Sequence, residues 1–298
     1  MRIPNFTISD SLVSRLQKLT ATQADLQAQV SSGQRITVAS DDPAAMARVL
    51  DFQTEKQNLQ QWARNGDRAL GVSQASFSAV KQLKSVSDRA GEIAVLGVGA
   101  TGADAYNAYS TEVNALLEQA LQVANTKNGG QNLFGGTQTS TPPFTATRDV
   151  AGQITGVTYS GAATAAQFQI SEATTISPQT GGATNQKFGD FINHLVSLRD
   201  ALKSQSGSAV QTAQTGLHSS ENDLLVTISD IGATQTRLES SKGLNESRYT
   251  DLQQLISSDT SVDLAQTIVK LTQTQTAYQA ALQSGAQLLQ HSLLDYLK

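Results

Sequence analysis

Apolar residues near both ends of the chain recur four and three positions apart, the spacing of one face of a coiled-coil helix. Such a face needs a partner, so the end segments are predicted to pack on each other or on copies of the same chain. The pattern favours an assembly subunit over an enzyme with a central pocket. The apolar positions predicted to form this assembly interface are Leu12, Leu16, Leu19, Leu26, Val30, Leu264, Ile268, Leu271, Tyr278, Leu282 and Leu289.

Proline, glycine and capping residues predict where the helices begin and end. The stretches 44–141 and 179–298 contain no proline and are therefore free to be mostly helical. Ser9 is a predicted N-cap of the first helix, and Gly33 is a predicted left-handed residue at its end. Asp41 and Asp42 are predicted to cap a long second helix, with Pro43 at its first position. Further helices are predicted over about 104–127, 188–202, 217–255 and 264–297.

Residues 138–185 differ in character from the rest, because only Arg148, Asp149 and Glu172 are charged there. Short strands are predicted at 154–159 and 167–170, which indicates a small β insert; a flexible polar loop is the alternative.

The predicted fold class is mainly α, with long antiparallel helices forming a coiled-coil rod and a small β-rich inserted domain. The terminal coiled-coil helices, or assembly core, are predicted at 1–40 and 257–298. The central helical bundle is predicted at 41–137 and 186–256, and the surface-exposed β insert at 138–185. Apolar residues of the central helices also fit an ordinary intramolecular core, and Trp62 and Phe77 are predicted to lie in it.

Composition excludes several function classes. The 298 residues include no cysteine, so neither a disulfide framework nor a thiolate metal site is possible. The formal charge of −4 leaves no basic surface for nucleic acid. No apolar run reaches about 18 residues, so no membrane span is predicted. The first residues contain no apolar core of a cleaved signal, which leaves a cytoplasmic protein or export without a cleaved peptide.

The candidate chemical motifs all have simpler structural interpretations. Residues 97–102 read G-x-G-x-x-G, but no βαβ unit surrounds them, so a turn between helices is favoured over a dinucleotide site. Asp41 and Asp42 fit helix capping better than metal binding or acid–base chemistry. The histidines at 194, 218 and 291 do not have metal-ligand spacing. No catalytic, cofactor or metal site is predicted, and an enzyme is the least favoured class.

Several segments together resemble the flagellin superfamily. Residues 31–36 and 40–45 are similar to its N-terminal signature. The Asp-Asp-Pro form resembles the hook-filament junction branch, hook-associated protein 3, more than it resembles filament flagellin. Residues 133–137, 231–233 with 237–239, 276–282 and 292–297 are similar to later segments of the family. The motif residues of the loop and cap are Ser32, Gly33, Arg35, Ser40, Asp41, Asp42 and Pro43. Arg35 is close enough in sequence to one aspartate to pair with it.

This resemblance implies an extracellular part of the bacterial flagellum. Such a subunit would be held by an export chaperone, exported through the flagellar type III channel and assembled in a ring or helical lattice. It would join hook-associated protein 1 to flagellin. Its ends would become helical on assembly, which fits two apolar faces that are marginal alone. Two alternatives are a filament flagellin and a secreted coiled-coil binding protein whose insert is a contact head.

Overall fold

The computed structural model describes residues 5–296, with side chains described from 10 to 287. The described residues form the helices α1 (Asn5–Ser32), α2 (Pro43–Val98), α3 (Ala103–Ala124), α4 (Gly182–Lys203), α5 (Gly207–Thr260) and α6 (Leu264–Tyr296). Between α3 and α4 lie the strands β1 (Lys127–Asn128), β2 (Gln131–Asn132), β3 (Phe144–Arg148), β4 (Ile154–Tyr159), β5 (Phe168–Gln169) and β6 (Thr175–Ile176). Consecutive strands pair antiparallel, two by two. The predicted mainly-α class with a small β region is confirmed.

The chain divides into two compact units. Unit 1 comprises residues up to 57 and from 249, and unit 2 comprises residues 58–248. In unit 1, α1 and α6 pack on each other. They run antiparallel, because Gln34 pairs with Ser261 at one end while Gly285 lies against Leu12 at the other. Within this chain the two end segments are therefore partners, which was one of the two predicted alternatives.

Unit 2 contains the main apolar core, built by α2, α3, α4, α5 and the β3–β4 hairpin. Each helix contributes side chains that are fully or almost fully buried. Examples are Leu83, Ile93, Val113, Leu117, Phe188, Phe191, Leu195 and Leu217. Phe77 packs against this core, and Trp62 is half-buried. No helix within the described residues is long and apolar enough to span a membrane.

The description of residues 138–185 as surface exposed was wrong for their apolar side chains. Phe144, Ile154 and Val157 of the β3–β4 hairpin are buried in the main core, with at most 6% of their surface exposed. Strand β3 was not predicted, although it forms the partner of the predicted strand over 154–159. Deleting the segment would therefore open the core rather than remove a separate head. The boundaries of the three predicted domains stay predictions.

Several predicted helix bounds differ from the structure. Helix α4 begins at Gly182 rather than 188, and α5 begins at Gly207 rather than 217. Ser9 lies inside α1, which already begins at Asn5, so it is not the N-cap. Helix α3 ends at Ala124, before the predicted 127, because β1 begins at Lys127. Helix α5 continues to Thr260, beyond the predicted end at 255. The cap of α6 is Asp263, whose carboxylate accepts the Gln266 N–H at 3.1 Å.

Candidate assembly interface

The α1–α2 loop is bound by its backbone to the α5–α6 connection. Gly33 ends α1 in the left-handed conformation, with φ +69°, as predicted. Its carbonyl accepts the Val262 N–H at 3.1 Å, and the Arg35 N–H donates to the Thr260 carbonyl at 2.7 Å. The end of α1 and the start of α6 are thereby fixed to each other. We call this pairing of residues 33–42 with 257–263 the clasp.

Charged side chains reinforce the clasp. The Arg35 guanidinium contacts the Asp42 carboxylate at 3.3 Å and donates to the Asp259 carbonyl at 3.0 Å. Arg48 of α2 also pairs with the Asp259 carboxylate. The predicted pairing of Arg35 with one of the two aspartates is therefore confirmed, and Asp42 is the partner.

The two adjacent aspartates have different roles. Asp42 caps α2, because its carboxylate accepts the Ala45 N–H at 3.0 Å, while Pro43 takes the first helical position. Asp41 was also predicted to cap the helix, but it does not. Its carboxylate instead accepts the Thr37 N–H at 2.9 Å and the Val38 N–H at 3.1 Å. These bonds lower the pKa of the Asp41 carboxyl, and the Ala45 bond lowers that of Asp42.

The two serines of the motif have weaker roles. Ser32 ends α1, and its hydroxyl accepts the Gln34 N–H at 3.2 Å. Ser40 is exposed beside the two aspartates. The motif loop is thus a helix end, a turn and a helix start, each stabilised by local hydrogen bonds.

The predicted apolar faces of α1 and α6 differ in exposure. All five predicted positions of α1 are half-buried, as are Leu271 and Tyr278 of α6. Leu264, Ile268 and Leu282 of α6, in contrast, are 47%, 49% and 46% exposed. The Leu289 side chain lies outside the described residues. The α1–α6 pair therefore leaves part of the predicted face of α6 open to solvent.

Two exposed apolar residues of these helices were missed because they lie outside the predicted spacing. Val13 and Val269 are 52% and 54% exposed. Val13 also lines a shallow groove of about 530 Å³ on the α1–α6 pair. The groove residues are Val13, Leu16, Gln17, Thr20, Ala21, Ala24 and Tyr278. A neighbouring apolar helix would find both a groove and an open apolar edge here.

The described residues hold no group of three or more possible metal ligands. His194 bonds the Ser220 hydroxyl at 2.8 Å, and His218 lies 3.5 Å from Glu221. The His291 side chain lies outside the described residues. Gly97 and Val98 end α2, and residues 99–102 form the predicted turn between α2 and α3. A Cβ at Gly97 would lie 2.7 Å from Leu202, so this glycine serves helix packing.

The remaining motif, residues 133–137, lies where the chain enters the β segment. The Ala162 N–H donates to the Gly135 carbonyl at 3.0 Å. The buried Asn185 amide donates to the Phe134 carbonyl at 2.9 Å. A Cβ at Gly136 would lie 2.6 Å from the Thr164 carbonyl oxygen. Backbones cross so closely here that glycine is needed at this position.

Comparisons with known proteins agree with this arrangement. The bacterial flagellin N-terminal helical region matches residues 3–139. Flagellar hook-associated protein 3 of Escherichia coli strain K12 is 25% identical over 283 residues, covering 85% of this chain and 86% of the relative. Flagellar hook-associated protein 3 of Salmonella typhimurium strain LT2 is 25% identical over 300 residues, covering 94% of this chain and 95% of the relative.

The fold is similar to that of FlgL from Bacillus cereus, with a TM-score of 0.60 and 17% identity. That similarity covers 70% of this chain and 99% of the FlgL chain. The predicted resemblance to the flagellin superfamily, and within it to hook-associated protein 3, is therefore confirmed. The chain thus resembles hook-associated protein 3, and this supports a structural role in the bacterial flagellum.

Proposed function

We propose that this chain is the extracellular adaptor that joins the hook-side hook-associated protein 1 to the flagellin filament. The observation that carries the proposal is the open apolar edge of α6, formed by Leu264, Ile268 and Leu282, in a chain that resembles hook-associated protein 3. Apolar side chains half-exposed along one helix favour burial against further subunits. Copies of the chain then form a ring or helical lattice through their end helices.

The clasp supports this role because it fixes where the two end helices start. Its residues are held by backbone bonds between Gly33 and Val262 and between Arg35 and Thr260. Each copy therefore presents α1 and α6 as one antiparallel pair. Burial against several neighbours at once makes the lattice stable without covalent links. Before assembly, an export chaperone covers the same apolar edge and the chain leaves through the type III channel.

The fold also offers a place for a label. The loop between β3 and β4 exposes Val150 fully, and Ala151 beside it is also exposed. A short epitope inserted between these two residues disturbs no buried side chain. The test is immunogold labelling of sheared flagella from cells that produce the tagged chain and swim normally, with the untagged strain as control.

One gold cluster at the hook-filament boundary is the expected result. Label along the whole filament would overturn the adaptor role and make the chain a filament flagellin. Label on no flagellum, with tagged protein in the medium, would favour the secreted binding protein whose β segment is the contact surface.

A further inference from the structure

Residues 167–177, called the strap from here on, contact both α2 and α5 within unit 2. The strap contains the β5–β6 pair, and its Ile170 and Ile176 are 3% and 5% exposed. These two side chains form an apolar cluster with Ala69 of α2 and Leu238 of α5, separate from the main core. The strap therefore supplies two of the four buried side chains of this second cluster.

Side-chain amides from both helices hold the strap backbone. Asn65 of α2 donates to the Gln169 carbonyl at 2.9 Å. From α5, the buried Asn245 amide donates to the Ile170 carbonyl at 3.0 Å, and the Ser241 hydroxyl donates to it at 3.4 Å. Two adjacent carbonyls of one short segment thus receive donors from helices that are far apart in sequence.

The fully buried side chains that α2 supplies at this level are mostly small, and the half-buried Leu70 also packs on the second cluster. Apart from Leu59, the buried side chains of α2 between residues 58 and 76 are the small Ala69, Ser73 and Ser76. The two serine hydroxyls have no hydrogen-bond partner among the described residues, and neither does the buried amide nitrogen of Gln235 on α5. Small side chains bury little apolar area, and unpaired buried polar groups oppose packing.

An ion pair near the strap adds only a solvent-exposed contact. Lys242 of α5 lies 2.7 Å from Asp67 of α2, and their side chains are 39% and 55% exposed. Exposed ion pairs contribute little to pairing and are screened by salt. Besides this exposed pair, the strap is therefore the segment that contacts both α2 and α5 at this level.

We propose that the strap is a brace that keeps α2 and α5 paired over residues 58–76 and 235–248. Without it, opening that starts at the ends of unit 2 would travel along both helices towards the main core. With it, local opening stops at the strap, and the main core stays closed while the chain ends change partner. The strap is thus a conformational device built into the β segment, in addition to the hairpin that fills the core.

Hydrogen exchange of the full chain, read by mass spectrometry, tests the brace with the variant Asn245→Ala. This change removes a buried donor from the Ile170 carbonyl. We expect amide exchange over 58–76 and 235–248 to become about tenfold faster, while α3 and α4 exchange as before. The control Asn222→Ala removes an exposed amide from the same helix and should change nothing.

A second variant, Asn65→Ala, removes the α2 donor to the Gln169 carbonyl of the strap and should accelerate exchange in the same two segments. Unchanged exchange in both variants would overturn the proposal. Equal acceleration throughout unit 2 would also overturn it, because that result means a loss of global stability rather than local opening.

Discussion

Arg48 and Asp259 are 211 residues apart in sequence, yet the Arg48 guanidinium donates to both carboxylate oxygens of Asp259, at 3.2 and 3.1 Å. Such a two-bond contact fixes direction as well as distance. The hydrogen bonds to Asp259 raise the pKa of Arg48. The pair therefore orients the start of α2 against the end of α5 within unit 1.

The first prediction concerns the salt dependence of this pair. Because the Arg48 side chain is 54% exposed, its attraction to Asp259 should be screened by ions. We expect Arg48→Ala to speed amide exchange in the clasp at low salt, and to have little further effect at about 1 M salt, where screening acts within ~3 Å. The control Arg68→Ala changes an exposed arginine that is in no ion pair among the described residues. An effect of Arg48→Ala that is equal at both salt concentrations would contradict this prediction.

The second prediction concerns acid. The Thr37 N–H bond, followed by the Val38 N–H bond, holds the pKa of the Asp41 carboxyl below its ordinary value of 3.8. A group whose pKa is lowered on folding contributes stability that is fully present above its unfolded pKa and is lost as pH falls through the folded pKa. We therefore expect the 37–41 turn to stay ordered at pH 5 and to open only as the pH falls below 3.8.

Nuclear magnetic resonance of the Thr37 and Val38 amides checks this expectation. In Asp41→Asn the turn should no longer respond to pH in this range, because the titrating carboxyl is gone. The control Asp51→Asn changes an exposed carboxylate of α2 and should leave the transition in place. A transition that survives in Asp41→Asn would assign it to another group.

The third prediction compares two glycines with left-handed backbones. Gly136 has φ +63°, and a Cβ there would lie within 2.7 Å of two carbonyl oxygens. Gly152 has φ +82°, with nothing within 4 Å of such a Cβ. We expect Gly152→Ala to lower the free energy of unfolding by about 1 kcal/mol through backbone strain alone. Gly136→Ala adds a steric clash and should cost at least about 2 kcal/mol. Urea unfolding measures both, and equal losses would contradict the clash.

The sequence predicted the helix starts and ends best where a residue type allows few conformations. Pro43 and Gly33 are such residues, and both lie at the predicted positions. The sequence could not show which of the two aspartates before Pro43 caps the helix, because either carboxylate could reach a free N–H of the first turn. Only the structure shows that Asp42 caps the helix and that Asp41 instead holds the preceding loop.

Side-chain spacing predicted which residues of α6 share a face, but not which part of that face α1 covers. Thr267 and Gly285 are buried, whereas Ile268 and Leu282 are half-exposed. Small residues allow two helices to approach closely, so the contact lies beside the apolar face rather than along its centre. A hydrophobicity pattern cannot show this offset, because neither a glycine nor a threonine counts as apolar.

The fourth prediction concerns the buried Asn185. Its amide donates to the Phe134 and Thr180 carbonyls at 2.9 and 3.2 Å, and it also contacts the Thr180 hydroxyl. Asn185→Ala would leave two buried carbonyls without this donor, so we expect a loss of about 2–3 kcal/mol in the free energy of unfolding. The exposed Asn222→Ala is the matched control and should stay within about 0.5 kcal/mol of the parent chain. A loss under 1 kcal/mol in Asn185→Ala would mean that other donors replace its amide.

The fifth prediction separates assembly from folding. Leu282 is 46% exposed, so Leu282→Asp should change the free energy of unfolding of the free chain by less than about 0.5 kcal/mol. In the assembled lattice the same aspartate would be a buried charge without a partner, and we expect assembly to be lost. The matched control Gln279→Asp places the same charge one turn earlier on an exposed polar position of α6 and should assemble. Motility and electron microscopy of cells that produce each variant give the readout, together with thermal unfolding of the purified chains. Normal flagella with Leu282→Asp would show that this edge of α6 faces solvent in the assembly. Loss of assembly in both variants would indicate a general sensitivity to charge rather than a specific apolar contact.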